Sequence, residues 1–366
     1  MKAGWAAAVA AAVLALPGSA ETLRFATFNA DLSRDGPGLL LQELRRGTSA
    51  QVAAVVEVIA SAAPDVLLLT GVDWDHDLLA LQALQAALAA KGAVYDYRFA
   101  PRPNSGMPSG LDLDGDGRLG GARDAQGYGR FAGEGGMALL SRLPVDTTAA
   151  RDFSALLWRD LPDALTGGAR LSPDALAQQR LSSTGHWDVP LRLPQGGAVH
   201  VLAFLATPPV FDGPEDRNGR RNHDEAAFWL RYLAGRLPAA PPAAPFVLMG
   251  DANLDPADGE GRPGALRALL AHPALQDPAP RSAGAVVAAA AQGGPNATQV
   301  GDAALDTVDW PEAGDLGNRR VDYVLPSAGL RVLGSGVIWP APDEPLAETA
   351  EAASRHRLVW VDVSLP

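Results

Sequence analysis

The 366-residue sequence contains no cysteine, and its only lysines are Lys2 and Lys91. Without cysteine, no disulfide can cross-link the fold, and no thiol can serve as a nucleophile or a zinc ligand. The folded state must therefore be stabilised by the burial of apolar side chains. A chain of this length is long enough to form a large core.

Positive charge is scarce as well, since 30 Lys and Arg residues are outnumbered by 42 Asp and Glu residues, for a formal net charge of −12. Proteins bind DNA mainly through basic side chains that replace counterions on the phosphates. The charge balance disfavours a broad nucleic-acid-binding surface without excluding one. The sequence does not indicate an oligomeric state.

Apolar runs of membrane-spanning length are also absent, and the mature chain is predicted to contain no membrane span. The first residues have a basic start, an apolar run over residues 5–16 and small residues before Glu21, as secretory signals do. That run is too short for a bilayer, which requires roughly 20 residues. We predict a signal peptide at 1–20, a single domain at 21–366 and a secreted or periplasmic location. A retained anchor is the alternative.

Strand-like segments alternate with helical patterns along the remainder of the chain. The strand-like segments are apolar and bounded by turn residues, at 22–29, 65–72, 136–141, 188–193, 199–206, 246–251, 320–325 and 358–363. Helical periodicity is present at 51–62, 78–90, 224–237 and 264–270. This interleaving indicates an α/β or α+β fold. Residues 101–135 and 277–318 are rich in glycine and turn-forming residues and are predicted to be long surface loops.

Polar residues stand at the ends of several of these segments. Asp251 and Asn253 end the apolar segment VLMGDAN, and their two-residue spacing directs both side chains to one side. For this segment alone, a turn capped by an Asp or Asn side chain is the alternative. Three further segments place polar residues similarly: LRFATFN ends at Asn29, RVDYVL contains Asp322, and SRHRLV contains His356.

In this order, together with PDVLLL at 64–69 and GMALLS at 136–141, the segments resemble the strand-end motifs of the endonuclease/exonuclease/phosphatase superfamily. That superfamily includes pancreatic deoxyribonuclease, abasic-site endonucleases, sphingomyelinases and inositol-polyphosphate phosphatases. The resemblance implies an α/β fold, a four-layer α/β/β/α sandwich of two stacked mixed sheets with the active site at one rim. It also implies metal-dependent hydrolysis of a small phosphate ester or phosphodiester, with Mg²⁺ as the cofactor.

The same resemblance implies roles for five residues. His356, polarised by Asp322, would activate the attacking water. Asp251 and Asn253 would contact the nucleophile and the phosphate, and Asn29 would help to fix the metal.

Three positions depart from the pattern of the superfamily. The metal-binding Glu falls on Gly71, the phosphate-contacting His falls on Leu205, and the carboxylate of the last motif falls on Arg355. Mg²⁺ usually relies on one or two carboxylates, and a cation about 4 Å away opposes it by roughly 4 kcal/mol at an effective dielectric near 20. We therefore expect impaired catalysis, which Gly71→Glu with Arg355→Asp would restore. Asp73 is a candidate substitute ligand, because it lies two residues beyond Gly71. The alternative is a non-catalytic module that binds a phosphate ligand or a protein.

Arginines supply candidate phosphate-binding groups. Arg355 can neutralise a bound phosphate in place of the metal. Arg217, Arg220 and Arg221 lie in a predicted loop before a helix, where guanidinium groups can bind further phosphate oxygens. A solvated charged loop is the alternative interpretation of these three residues.

A second candidate metal site lies in the segment DLDGDG, where Asp112, Asp114 and Asp116 alternate as in the first half of a Ca²⁺ loop. The twelfth position is Arg123, Asp124 follows it, and no flanking helices are predicted, so the segment is not an EF-hand. The prediction is a structural Ca²⁺ site, and an acidic turn without an ion is the alternative.

Overall fold

The computed structural model describes residues 22–243, 245–310 and 316–365. The predicted signal peptide at 1–20 lies outside these ranges. Within them the strands are β1 Thr22–Leu32, β2 Val66–Val72, β3 Tyr97–Phe99, β4 Gly136–Ser141, β5 Arg151–Asp152, β6 Gly185–Arg192, β7 Ala198–Leu205, β8 Phe246–Asp251, β9 Asp322–Pro326, β10 Arg331–Val337 and β11 Val359–Ser364. The helices are α1 Leu39–Arg46, α2 Ala50–Ala62, α3 Leu79–Ala90, α4 Pro173–Gln178, α5 Arg217–Leu233, α6 Gly264–Leu270, α7 Ala283–Gln292 and α8 Ala347–Ala353.

The strands form two mixed sheets. The first has the order β10-β11-β1-β2-β4-β3 and the second has the order β5-β6-β7-β8-β9. Each contains one parallel pair among antiparallel neighbours, β1 with β2 and β7 with β8. In both pairs the carboxyl ends of the two strands meet at one edge of the sheet.

Each sheet is covered on both faces, and this explains the continuous apolar composition of the central strands. In β2, Val66 and Leu68 pack in the core between the two sheets, whereas Leu67 and Leu69 pack against a layer formed by α1, α2, α3 and α8. The outer face of the second sheet packs against α5 and α6. The predicted four-layer α/β/β/α sandwich is confirmed.

The helical layers contain more than the sequence pattern indicates. Helix α5 begins at Arg217 rather than at residue 224, and α7 lies inside the predicted loop 277–318. The first two turns of α5 have no apolar periodicity because they bury polar side chains. Helix α7 is rich in alanine and is capped by Ser282, whose side chain accepts a hydrogen bond from the backbone N–H of Ala285. Within the described ranges, no helix is long and apolar enough to span a bilayer.

Candidate functional site

Five polar side chains meet at one rim of the sandwich. Asp251, the last residue of β8, lies opposite Asp322, the first residue of β9. Asn29 near the end of β1 donates from Nδ2 to Asp251 Oδ2 at 3.0 Å, and the backbone N–H of Asn253 donates to Asp251 Oδ1 at 2.7 Å. His356 Nδ1 lies 2.9 Å from Asp322 Oδ2. The structure thus brings together the five residues that the sequence singled out, from segments far apart in the chain.

The histidine of this group is buried against carboxylates. Asp322 Oδ2 also accepts a hydrogen bond from Thr307 Oγ1 at 2.9 Å, which fixes the orientation of the carboxylate. Burial alone would lower the pKa of His356, but attraction to Asp322 and Asp251 outweighs it and raises that pKa to about 9. Burial, followed by the neighbouring charge of Asp322, raises the pKa of Asp251 to about 7. His356 is therefore a hydrogen-bond donor at neutral pH.

A loss of stability at alkaline pH should follow. The folded pKa of His356 lies above its ordinary value of 6.5, so its contribution is complete below pH 6.5 and is lost as the pH rises through about 9. The raised pKa of Asp251 lowers stability mainly between pH 3.8 and about pH 7, below the range in which His356 loses its proton. We expect the metal-free protein to lose roughly 2–3 kcal/mol of unfolding free energy between about pH 7 and pH 9.

Urea denaturation at the two pH values measures this loss. The control is His356→Gln, whose amide side chain does not titrate and which should therefore lose much less. Equal losses in the wild type and the variant would show that His356 does not carry the effect.

A cleft of about 780 Å³ opens beside the five residues. Its polar end is formed by Asn29, Asn253 and His356. Asp251 and Asp322 lie behind this end and are almost completely buried. The segment 205–211, LATPPVF, follows β7 and forms a mainly apolar wall of the same cleft. The cleft therefore offers both a polar end and an apolar wall to a ligand.

Gly71 lies at this rim in a backbone conformation that excludes most side chains. It bulges out of the ladder between β2 and β4, in which Thr70 pairs with Met137 and Val72 pairs with Gly136. Its φ of +64° is in the left-handed region, and a Cβ atom there would lie 2.2 Å from Asn29 Oδ1. A carboxylate at this position cannot be accommodated unless Asn29 moves.

Arg355 and Asp31 form an ion pair on the surface of the cleft. Arg355 Nε lies 3.1 Å from Asp31 Oδ2, Arg355 Nη2 lies 3.3 Å from Asp31 Oδ1, and both residues line the cleft. Burial would raise the pKa of Asp31, but the Arg355 guanidinium outweighs it and holds that pKa below its ordinary value. The carboxylate of Asp31, on β1 near the polar end, is thus already neutralised by the guanidinium of Arg355.

Leu205 lies beside Asp251, since the two residues pair between the parallel strands β7 and β8. It is buried to all but 8% and lines the cleft. An apolar side chain at this point cannot donate a hydrogen bond to a ligand. The floor of the cleft is therefore apolar next to the polar end.

Residues 26–356 match the model of the Endonuclease/Exonuclease/phosphatase family. The chain belongs to this family. No curated protein matches the sequence significantly.

Solved structures of family members share the fold. A protein of this family from Beutenbergia cavernae is 19% identical with a TM-score of 0.54, over 94% of this chain and 72% of that chain. One from Bacteroides thetaiotaomicron is 13% identical with a TM-score of 0.51, over 95% of this chain and 96% of that chain. At these identities the likeness shows the fold alone.

The family is metal-dependent as a rule, and two groups of residues are spaced closely enough to hold an ion. The ligand atoms of Asp251, Asp322 and His356 lie within 4.8 Å of one another, as do those of the aspartates 112, 114 and 116. In the first group, Asp322 Oδ2 already accepts two hydrogen bonds, and Asp251 accepts one on each oxygen. Only Asp322 Oδ1 has no partner among the described residues. Mg²⁺ usually keeps several waters beside its one or two carboxylates. Here both carboxylates are almost completely buried and Asp322 is paired with the imidazole of His356, so these side chains do not fit the ion as they stand.

The candidate substitute ligand Asp73 lies outside the cleft. Its Oδ2 accepts the backbone N–H of Arg34 at 2.9 Å and its Oδ1 accepts the backbone N–H of Gly135 at 3.1 Å. A spacing of two residues places side chains on one face only in a regular strand, and the bulge at Gly71 breaks the alternation along β2. The position of Asp73 suits it to hold two loops together.

The three arginines near residue 220 lie on the first turns of α5 rather than in a loop. Arg221 is buried and donates to backbone carbonyls, including that of Leu181 at 2.8 Å. Arg217 donates to the carbonyl of Leu113 and Arg220 to that of Glu215. None of the three lines the cleft among the described residues. In these positions they tie loops to the helix.

The aspartates of the DLDGDG segment form a turn in which each carboxylate accepts backbone N–H groups of its own loop. Asp112 accepts from Gly115 and Gly117, and Asp114 accepts from Asp116. Asp124 points into the same loop and accepts from Leu113 at 2.8 Å. The spacing of the three carboxylates allows an ion, and the structural Ca²⁺ site stays a prediction.

Sequence reasoning missed three residues that line the cleft. Asp31 lies two residues beyond Asn29, a spacing that could have indicated it. Phe211 and Tyr128 lie in segments without periodicity, and no sequence pattern indicates that they line the cleft.

Proposed function

We propose that this protein binds a small phosphate ester or phosphodiester in the cleft and has little or no Mg²⁺-dependent hydrolytic activity. The observation that carries the proposal is the Arg355 guanidinium, held by Asp31 on the cleft surface. A guanidinium binds phosphate oxygens through charge-assisted hydrogen bonds, whereas it repels a divalent cation.

Two further features are evidence that hydrolytic activity is low. Gly71 has no room for a carboxylate, and the nearby carboxylate of Asp31 is occupied by Arg355. Leu205 supplies no donor to stabilise the charge that develops on a transferring phosphoryl group. Catalysis of this reaction depends on positioning and on charge stabilisation, and the absent carboxylate and hydrogen-bond donor reduce the charge stabilisation.

The acidic lining of the cleft supports a small ligand rather than nucleic acid. Glu134, Asp255, Asp258 and Glu260 all line it, and a polynucleotide would carry repeated phosphates past these carboxylates. Export by the signal peptide at 1–20, to the periplasm or out of the cell, is also part of the proposal. It is supported by the three-part pattern of that segment.

Binding and turnover can be tested separately. Calorimetric titration with glycerol 2-phosphate in the presence of EDTA should show binding by the wild type. Arg355→Ala should weaken that binding by roughly 10- to 100-fold, because a charge-assisted hydrogen bond contributes about 1.5–3 kcal/mol. The matched control is Arg331→Ala, an exposed arginine on β10 outside the cleft, which should bind as the wild type does.

Turnover is measured with p-nitrophenyl phosphate and bis(p-nitrophenyl) phosphate, with Mg²⁺ or with EDTA. We expect no EDTA-sensitive hydrolysis by the wild type beyond that of His356→Ala. Robust EDTA-sensitive turnover by the wild type would contradict the loss of activity. Absence of glycerol 2-phosphate binding would contradict the ligand class.

A further inference from the structure

Two aromatic side chains of the cleft are exposed without an evident packing role. Phe211 is 72% exposed and Tyr128 is 64% exposed. Among the Phe, Tyr and Trp side chains of the described residues, no other is more than half exposed. Both line the same cleft. Large apolar side chains lose the benefit of burial when they face water, so two in one cleft indicate a surface for a ligand.

The backbone around Phe211 presents its ring rather than burying it. Phe211 has a φ of 69°, an unusual left-handed conformation for a bulky side chain. The segment that leads to it is held by side chains of α5: Asn222 Nδ2 donates to the carbonyl of Thr207 and Asn218 Nδ2 to that of Val210, each at 2.7 Å. The surrounding structure thus fixes a strained conformation that projects an aromatic ring, a pattern that is common at binding sites.

Tyr128 projects from a segment whose neighbours are packed against other backbone. A Cβ atom on Gly127 would lie 1.7 Å from the carbonyl oxygen of Ser183, and one on Gly129 would lie 2.5 Å from the backbone nitrogen of Gly106. The two glycines therefore permit a close approach that fixes the segment. Tyr128 is the side chain that this segment presents to the cleft.

The other residues of the cleft add apolar surface beside its polar end. Leu205, Pro208 and Pro209 add apolar area to the lining, and the Trp310 ring stands edge-on to the His356 ring with their centres 6.2 Å apart. The volume of about 780 Å³ is in the range of sites that enclose a small organic ligand. An inorganic phosphate would use only the polar end of this space.

We infer that the preferred ligand is an aryl phosphate ester, whose aromatic group contacts Phe211 and Tyr128 while its phosphate lies at Arg355 and His356. This inference rests on the proposed function, since it extends the same ligand from its phosphate to its organic group. Aromatic rings bind one another through stacked or edge-to-face contacts that add to the burial of apolar area. The two exposed rings are therefore specificity-determining residues of the cleft.

The test compares two monoesters of equal charge, 1-naphthyl phosphate and glycerol 2-phosphate, by calorimetric titration in the presence of EDTA. The wild type should bind the naphthyl ester at least about tenfold more tightly. Phe211→Ala and Tyr128→Ala should each weaken naphthyl phosphate binding by about five- to tenfold and change glycerol 2-phosphate binding by less than about twofold. Tyr97→Ala is the matched control, because Tyr97 is an exposed aromatic on β3 outside the cleft. It should alter neither affinity.

Phe211→Leu provides a second variant if the alanine variant folds poorly, since it keeps an apolar side chain but no ring. It should lose most of the preference for the naphthyl ester. Equal affinities of the wild type for the two esters would overturn the inference and leave the proposed function intact. Binding of naphthyl phosphate that Arg355→Ala does not weaken would contradict the proposed function, and binding of neither ester would contradict both.

Discussion

Replacement of Asp322 by alanine is expected to lower the free energy of unfolding by about 3–5 kcal/mol, the cost of leaving a buried charge without its partner. His356 is buried, and its Nδ1 atom donates to Asp322 Oδ2 at 2.9 Å. In Asp322→Ala the imidazolium must either remain charged with the weaker attraction of Asp251 and Asp31 or give up its proton. Thr307 Oγ1 loses its acceptor in the same variant. Both consequences disfavour the folded state.

Urea denaturation at neutral pH of the single variants and the double variant Asp322→Ala with His356→Ala measures this effect. Removal of both partners should cost less than the sum of the single losses, because neither member of the Asp322–His356 pair is then left buried without the other. Asp322→Asn keeps an acceptor oxygen without the charge and should fall between the wild type and Asp322→Ala. A loss below about 1 kcal/mol in Asp322→Ala would show that the ion pair contributes little.

Glutamate at position 71 is expected to destabilise the protein by about 2–4 kcal/mol and to leave Mg²⁺-dependent hydrolysis absent, even together with Arg355→Asp. The sequence alone favours the opposite expectation, because the resemblance places a metal ligand at this position. The left-handed φ of +64° costs about 1–2 kcal/mol for a residue with a Cβ atom. That Cβ atom also displaces Asn29, whose bond to the buried carboxylate of Asp251 is then lost.

Gly71→Ala is the matched control for this experiment. It carries the same backbone strain and the same contact with Asn29 but no carboxylate, so it should lose nearly as much stability as Gly71→Glu. Thermal denaturation and turnover of bis(p-nitrophenyl) phosphate with Mg²⁺ or EDTA are the measurements. A Gly71→Glu, Arg355→Asp protein of wild-type stability with EDTA-sensitive turnover would show that the rim adapts to a metal.

The sheets and the convergence of strand ends could be predicted from the sequence for a common reason. Strands covered on both faces, such as β2 and β8, are continuous apolar runs, and the polar residue that ends each run marks the rim. The order of these runs along the chain carries the family resemblance that implies the fold. Apolar periodicity indicates a start of α5 that is too late, because the first turns of the helix bury polar groups such as Arg221 and Glu225.

The details of the rim could not be predicted, because they depend on backbone conformation and on contacts between distant residues. The alternation of a strand predicts the direction of Asp73 only if the strand is regular, and Gly71 interrupts it. The partner of Arg355 is Asp31, which lies 324 residues away in the sequence. No local pattern indicates such a pair.

The ion pair between Arg355 and Asp31 determines how the cleft responds to the metal ions in the medium. A metal ion exchanges with the medium, so the fraction of protein molecules that carry it depends on the concentration of the free ion. A guanidinium belongs to the polypeptide and stays charged throughout the physiological pH range. The guanidinium beside the polar end is therefore present in metal-poor and metal-rich media alike, and chelators in the environment cannot remove it.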